Sequence, residues 1–347
     1  VDARTLLRSK DEVVEILKRF RPDIVGFRVT TYMVPDMLEW ARHVKQHFDV
    51  PIIIGGYNLR VYPRESLSHE AIDFGCVNSA LFTVPRLLEE LESGRRRFDE
   101  VPGLVFKRDG EIIQTPPADP PERFENYPPP ARHLTPTELY AEFPTTRRNF
   151  TLLVTSKGCP MHCTFCEAGR TVYDPRSAEQ VVDEMEQCYR ELNIREFDIF
   201  DYEFPMIRKR TMAICKEIQR RNLDIAWACR SRVDTVDKEV LTEMKNSGCH
   251  RIYFGIETVH QHILDDVKKG ITTDQVRETI RNCKDLGIMA LGFFLIGNPG
   301  ETERMIYESV KFAKELDLDY VQFSKLLAKP WSGLWREMVE QTGEDYW

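Results

Sequence analysis

Short apolar segments alternate with amphipathic ones twice along this chain, and a proline-dense stretch separates the two runs. Consecutive parallel strands need a long crossover, usually a helix, so strand–helix alternation implies a parallel sheet covered by helices. In the first run, 23–31 (DIVGFRVTT) reads as a strand, 35–48 as a helix and 51–56 (PIIIGG) as a second strand. A short helix over 63–71, a third strand over 72–77 and a helix reaching Glu92 follow. Ser9 and Glu12 have the spacing of a capping box ahead of a helix over 10–20. Val1–Arg4 reads as the tail of an earlier strand, so the first strand and helix of this unit are expected to be missing. The expectation is an α/β, doubly wound domain over 1–95.

Residues 103–115 read as a β-hairpin with Asp109 and Gly110 at its turn. From Pro116 to Pro130 the chain places seven of its 20 prolines. Such a segment is stiff and poor in backbone donors, which suits a linker, here 96–148 with the hairpin included. A second alternation fills 149–347, with strands over 150–156, 197–201, 225–231, 251–257, 289–297 and 319–327. Ser177 with Gln180, and Thr272 with Gln275, cap two of the intervening helices. Six strand–helix units predict a partial (β/α)6 barrel of TIM type, because a closed eight-unit barrel needs more chain.

Net charge is −8, and the short basic clusters at 95–97 and 208–210 do not build a stripe. A nucleic-acid partner is therefore not expected, and the substrate reads as a small molecule or lipid-like compound. No apolar run approaches the ~20 residues that span a bilayer, and no signal peptide is visible, so a cytoplasmic protein without a membrane span is expected. Six of the nine cysteines (Cys76, Cys188, Cys215, Cys229, Cys249 and Cys283) stand singly in elements or at their edges and read as small buried hydrophobes.

The other three stand in Thr-Ser-Lys-Gly-Cys-Pro-Met-His-Cys-Thr-Phe-Cys, 155–166, just after the first strand of the second run. That is the carboxyl rim of the strands, where barrels of this kind build their sites. Cys159, Cys163 and Cys166, spaced CxxxCxxC, can hold three irons of a [4Fe-4S] cluster and leave the fourth iron open. The alternative is zinc with His162 as fourth ligand. Structural zinc sites use two separated ligand pairs, and His162 is squeezed between ligands, so the cluster is preferred.

CxxxCxxC ahead of a (β/α)6 pattern resembles the radical S-adenosylmethionine (SAM) superfamily. The resemblance implies SAM on the open iron and an electron from an external donor of flavodoxin or ferredoxin type. It further implies cleavage of SAM to a 5′-deoxyadenosyl radical. Phe165 resembles the aromatic placed near the adenine. Asp201-Tyr-Glu-Phe204 occupies the position of the family's GGE-type motif, so Asp201 and Glu203 are candidates for gripping the SAM amino group. Arg230-Ser-Arg-Val-Asp234 and Gly255-Ile-Glu257-Thr258 resemble segments that contact the ribose and the methionine carboxylate, with Arg230, Arg232 and Glu257 as candidates. Gly292 to Glu301, with Gly297 and Pro299, resembles the glycine motif beside the adenine.

The order of a Rossmann-like domain, a strap and a radical SAM domain resembles the cobalamin-binding branch, as does Arg208-Lys209-Arg210. Tyr202 and Glu203 depart from that branch's Asp-Asp-x-Phe, and 77–81 lacks the acids of its Gly-Glu-Gly-Glu-like loop. Thr30, Thr31, Tyr32, Gly55 and Gly56 fall on expected strand ends and are the candidates for lining a cobalamin pocket. No Asp-x-His-x-x-Gly occurs, so a histidine lower ligand of that type is not expected. The resemblance implies methylation of an unactivated carbon, the adenosyl radical removing a hydrogen atom and methylcobalamin supplying the methyl group. An oxidative cyclase or rearrangement enzyme, like the anaerobic magnesium-protoporphyrin monomethyl ester cyclase, is the alternative. From another class, an iron–sulfur electron-transfer or sensor protein stays open. The acidic balance disfavours a tRNA-modifying relative. The aromatic tail, Trp331 to Trp335 and Trp347, reads first as ordinary packing of a helix after the sixth strand.

Overall fold

The computed structural model describes residues 2–77, 79–117, 123–141, 144–147 and 149–345. The chain divides into two compact units, Val1–Pro121 and Glu122–Trp347.

In the first unit, α1 (Lys10–Phe20) starts on the expected capping box, with Ser9 and Glu12 bonding each other's backbone. Then follow β1 (Val25–Arg28), α2 (Val34–His47), β2 (Ile52–Gly55), α3 (Tyr57–Val61), α4 (Pro63–Leu67), β3 (Phe74–Cys76) and α5 (Ala80–Glu92). The strands β1, β2 and β3 are parallel neighbours in that order. Strand side chains alternate between faces. Ile52 and Ile54 accordingly pack with Met37, Ala41 and Val44 of α2 and with Leu59 and Leu67, whereas Ile53 and Phe74 pack with Leu87 of α5. Helices thus cover both faces of the sheet.

Three local expectations change. The helix expected over 63–71 opens at Pro63 but ends at Leu67 as α4, and an unexpected short helix, α3, precedes it, because a proline cannot continue a helix that ends at Val61. Residues 3–7 form a turn closed by the Leu6 N–H on the Asp2 carbonyl at 3.0 Å, not a strand tail, and Val1 lies outside the described residues. The hairpin, β4 (Leu104–Arg108) and β5 (Glu111–Gln114), pairs antiparallel onto β3 and extends the first sheet instead of standing in the linker. Its turn has Asp109 at φ 51° and Gly110 at φ 81°, the two positive angles that Asp-Gly supplies. Asn78 of the 77–81 stretch and 118–122 of the proline stretch lie outside the described residues.

In the second unit, β6 (Phe150–Leu153), β9 (Glu196–Ile199), β10 (Ala226–Ser231), β11 (Cys249–Glu257), β12 (Met289–Ile296) and β13 (Tyr320–Lys325) form one parallel sheet, ordered β13-β12-β11-β10-β9-β6. These are the six expected strands of a partial barrel. β7 (Ser156–Lys157) and β8 (Asp174–Pro175) make a small antiparallel pair after β6. The helices α6 (Ala178–Glu191), α7 (Arg208–Arg220), α8 (Lys238–Asn246), α9 (Gln261–Asp266), α10 (Thr273–Asp285) and α11 (Glu303–Glu315) connect the strands, and the capping boxes of α6 and α10 form as expected. Phe197, Trp227, Ile252 and Phe254 share a core with Val181, Met185, Ile214 and Leu241 of the helices. Each fully buried side chain of this kind contributes roughly 1.5–3 kcal/mol. The opposite sheet face carries Ala228, Tyr253 and Leu291, packed with Phe293 and Tyr320. All six lone cysteines are buried.

The amino end of this sheet is closed by its own chain. Glu196, fully buried, accepts the Thr146 and Arg147 N–H groups at 2.8 Å, and Arg251 donates to the Pro144 carbonyl at 2.5 Å. The carboxyl end is left to the loops. A last helix, α12 (Gly333–Thr342), follows β13, with Ser332 capping it through the Trp335 N–H, whereas Trp347 lies outside the described residues.

Candidate functional site

The cysteine loop leaves β7 at Gly158, whose φ is +72°. A Cβ there would lie 1.9 Å from the Val172 carbonyl, so the turn into the loop requires glycine. From Cys159 to Thr171 the backbone is laced shut. The Cys159 N–H donates to Thr171 Oγ1 at 2.9 Å, the Thr171 N–H to the Cys159 carbonyl at 3.0 Å, and the Arg170 N–H to the Met161 carbonyl at 2.8 Å. Cys159 is buried, and Cys163 and Cys166 are half-buried. Burial pushes the Cys159 and Cys166 thiols up, which bound iron reverses, since metal coordination deprotonates thiols outright. Among the described residues, no three His, Cys, Asp or Glu side chains group closely enough to hold one metal ion. His162 is exposed. A [4Fe-4S] cluster with one open iron asks for three thiolates, and three cysteines on one laced loop offer that number.

Asp201, expected to grip SAM, is committed to the root of this loop. Its carboxylate accepts the Thr155 N–H at 2.6 Å, the Thr155 hydroxyl at 2.5 Å, the Ser156 N–H at 3.1 Å and the Ser156 hydroxyl at 2.6 Å. Arg210 adds a bond to the Thr155 carbonyl at 2.9 Å. The end of β9 and the start of α7 thus clamp the segment between β6 and β7.

Beside Cys163 lies a cluster of charge. Arg232 forks onto Asp234 at 2.8 and 2.7 Å, donates to the Lys269 carbonyl at 2.6 Å, and brings its Nη1 within 3.8 Å of Cys163 Sγ. Lys269 pairs with Glu257 at 2.6 Å and stands 6.0 Å from the centre of the Phe165 ring. Glu257 has φ +68°, at a bulge where the β11–β12 register shifts. Bulges of this kind re-aim a side chain, and here the carboxylate turns toward Lys269. A Cβ on Gly255 would lie 2.6 Å from both Glu257 Oε1 and Lys269 Nζ, so a side chain there would have to displace the ends of the pair. Glu203 accepts the Arg232 N–H and the Thr235 hydroxyl, each at 2.7 Å. Burial pushes its carboxyl up to about 7.

Arg230 stands apart from this cluster. It pairs with fully buried Asp198 and lies over the Phe200 ring at 4.0 Å and the Tyr253 ring at 4.6 Å. Gly297, at φ +89°, and Pro299 line a cavity of about 450 Å³ with Leu327, Ala328, Leu334 and Met338. Leu334 also donates its N–H to the Thr164 carbonyl at 2.9 Å, which sets this cavity beside the cysteine loop.

The structure therefore brings Cys163, Phe165, Glu203, Arg232 and Glu257 around Lys269, and sets Asp201 beneath the loop, Arg230 on Asp198, and Gly297 with Pro299 at the end of β12. Sequence reasoning missed Lys269, Thr155 and Thr235. The pair Lys268-Lys269 carries no signal that one member is buried against an acid. In the first unit, Thr30, Thr31 and Tyr32 follow β1 while Gly55 and Gly56 end and follow β2, the carboxyl ends where parallel sheets bind ligands. The Val29 N–H bonds the Gly55 carbonyl at 2.7 Å, and a Cβ on Gly56, at φ +114°, would lie 2.6 Å from the Val29 carbonyl. None of these five residues is a histidine, so cobalamin there takes no imidazole from them.

A model of the radical SAM superfamily matches residues 153–313, and a model of the B12 binding domain matches residues 1–88. An uncharacterized methyltransferase of Pyrococcus horikoshii, PH0819, is 32% identical over 333 residues, 94% of this chain and 72% of that protein. The anaerobic magnesium-protoporphyrin IX monomethyl ester cyclase of Rubrivivax gelatinosus is 28% identical, over 98% of this chain and 63% of that protein. The chain thus spans about two thirds of these relatives. The solved structure of the radical S-adenosylmethionine methyltransferase TsrM from Kitasatospora setae, with cobalamin and [4Fe-4S] cluster bound, superposes with a TM-score of 0.77 at 20% identity, over 96% of this chain and 67% of that one. That likeness is one of fold. With both domain models matched in order, and with a relative above 30% identity of which it spans nearly three quarters, the chain belongs to the radical SAM superfamily, in the branch that joins a B12-binding domain to the radical SAM domain.

Proposed function

We propose that this chain cleaves SAM at a [4Fe-4S] cluster held by Cys159, Cys163 and Cys166, and directs the resulting radical, with cobalamin, to methylate an unactivated carbon of a small-molecule or lipid-like substrate. The observation that carries this reading is the laced loop presenting three thiols at the carboxyl end of a six-stranded parallel barrel. The bound groups supply one-electron cleavage of SAM and transfer of a methyl group. The chain supplies position and charge. Asp201 and Arg210 hold the loop root. Arg232 and Lys269 place positive charge at Cys163, and Glu203 and Glu257 sit with them for the amino and carboxylate ends of SAM. Phe165, Gly297 and Pro299 border the adenine side, and the β12 cavity beside the loop is the space we assign to it. Arg230, held by Asp198, lines the barrel instead of gripping SAM directly. Thr30, Thr31, Tyr32, Gly55 and Gly56 line the cobalamin face.

The electron comes from a flavodoxin- or ferredoxin-type donor. Nine free cysteines suit a reducing compartment, and we place the reaction in the cytoplasm. No helix among the described residues is long and apolar enough to cross a membrane. A second reading, oxidative cyclisation, is favoured by the cyclase relative that matches nearly the whole chain.

Anaerobic reconstitution with iron, sulfide, SAM and reductant tests the first step. Wild type yields 5′-deoxyadenosine and Cys163→Ala yields none. Zinc without an iron–sulfur cluster in wild type would sink the reading. Corrinoid absorbance after growth with cobalamin tests the first unit, and an empty domain at saturating cobalamin removes the methyl-transfer step.

A further inference from the structure

One buried cation, Arg232, meets one of the three cluster thiols, and a second, Lys269, is buried next to it. Arg232 and Lys269 are 6% and 7% exposed. The Arg232 guanidinium is divided between two partners: its Nε and Nη2 meet Asp234, while Nη1 turns to Cys163 Sγ at 3.8 Å. The cation therefore stands between the carboxylate and the sulfur. Lys269 is linked to the same guanidinium through its carbonyl, at 2.6 Å. The Lys269 ammonium is paired with Glu257 at 2.6 Å inside the protein.

Such an arrangement acts on electron entry. The step is simple: an external one-electron donor reduces the oxidised cluster, with no bond or proton exchanged, and the thiolate-bound cluster becomes one charge more negative. Fixed cations near a ligating sulfur stabilise that added charge, and low polarizability around buried groups strengthens the effect. Cluster potentials respond to net charge and to hydrogen bonds on the sulfurs. Glu257 and Asp234 oppose the cations, and they set how much of the positive charge is felt.

We propose that Arg232 and Lys269 form an electrostatic pair that raises the reduction potential of the cluster at Cys163, with Glu257 as the opposing charge. Arg232 and Lys269 then act as positioning residues for electron entry. The inference rests on the cluster reading above. An arginine cannot be deprotonated in a protein, so Arg232→Met removes its charge outright, whereas Arg232→Lys keeps it.

The measurement is the midpoint potential of the reconstituted protein without SAM, followed by the paramagnetic signal of the reduced cluster in an anaerobic potentiometric titration. Iron and sulfide per chain are assayed in every sample. Arg232→Met and Lys269→Met shift the midpoint to more negative potential, Arg232→Lys stays near wild type, and Glu257→Gln shifts it to more positive potential. An unchanged midpoint in Arg232→Met at wild-type cluster content overturns the inference. Where Arg232→Met does not load a cluster, Glu257→Gln decides: an unmoved midpoint in that loaded variant overturns it equally. A wild-type protein that takes up no iron–sulfur cluster refutes the underlying reading instead, and the iron assay separates the two failures.

Discussion

Replacing Asp201 by alanine should loosen the cysteine loop without touching a single cysteine. The carboxylate is 2% exposed and serves four donors on Thr155 and Ser156, two of them backbone N–H groups. Thr155 is fully buried and Ser156 is 3% exposed, so water does not replace the lost acceptor freely. A buried donor left without a partner costs about 1–3 kcal/mol, and the two N–H groups together bring the loss to about 2–6 kcal/mol. The hydroxyls can turn to other acceptors and are left out of that sum. A loss of this size is a large fraction of the stability of a domain. The assay is urea unfolding of the anaerobic apoprotein, read by tryptophan fluorescence, with iron and sulfide uptake measured in parallel. Asp201→Ala should lower the unfolding midpoint and the cluster content together, and Asp201→Asn, which keeps the volume and part of the acceptor capacity, should fall between. An Asp201→Ala protein with the wild-type midpoint and full cluster content would refute the clamp.

Gly158→Ala places a methyl group 1.9 Å from the Val172 carbonyl at a positive φ, and should cost most of the cluster content when iron is assayed after reconstitution. Glu203 gives a pH signature. Its folded pKa, about 7, lies above the ordinary carboxylate value of 4.5, so the folded state holds a proton that the unfolded state releases. Stability therefore falls as pH rises from about 4.5 to about 7. Glu203→Gln should flatten that slope in thermal unfolding scans, and an unchanged slope would assign it to another group.

The six barrel strands, the capping boxes at Ser9, Ser177 and Thr272, and the hairpin turn at Asp109-Gly110 were legible because each depends on residues within a few positions of one another. That the three cysteines share one loop was legible for the same reason: their spacing lies within a few positions. Pro63 was legible as the start of α4, since proline is tolerated at the first turn of a helix, whereas the single turn of α3 before it was not read. What the hairpin pairs with was not legible, because the edge of β3 that receives it belongs to a sheet assembled from distant segments.

The roles of the charged residues divide in the same way. That Asp201, Glu203, Arg230, Arg232 and Glu257 stand at strand ends follows from the linear pattern of strands. Which of them holds the loop, which meets a sulfur and which pairs inside the barrel followed only from tertiary contacts. Asp201 reaches Thr155 across 46 positions, and Arg232 reaches Cys163 across 69. Lys269 looks like any surface lysine until the fold removes its water and sets it against Glu257. Local periodicity and spacing by themselves determined the elements and put three cysteines on one loop, because backbone geometry reads both over a few residues. The burial and partners of each charge were decided by the packed structure, because desolvation and pairing depend on neighbours far away in the chain.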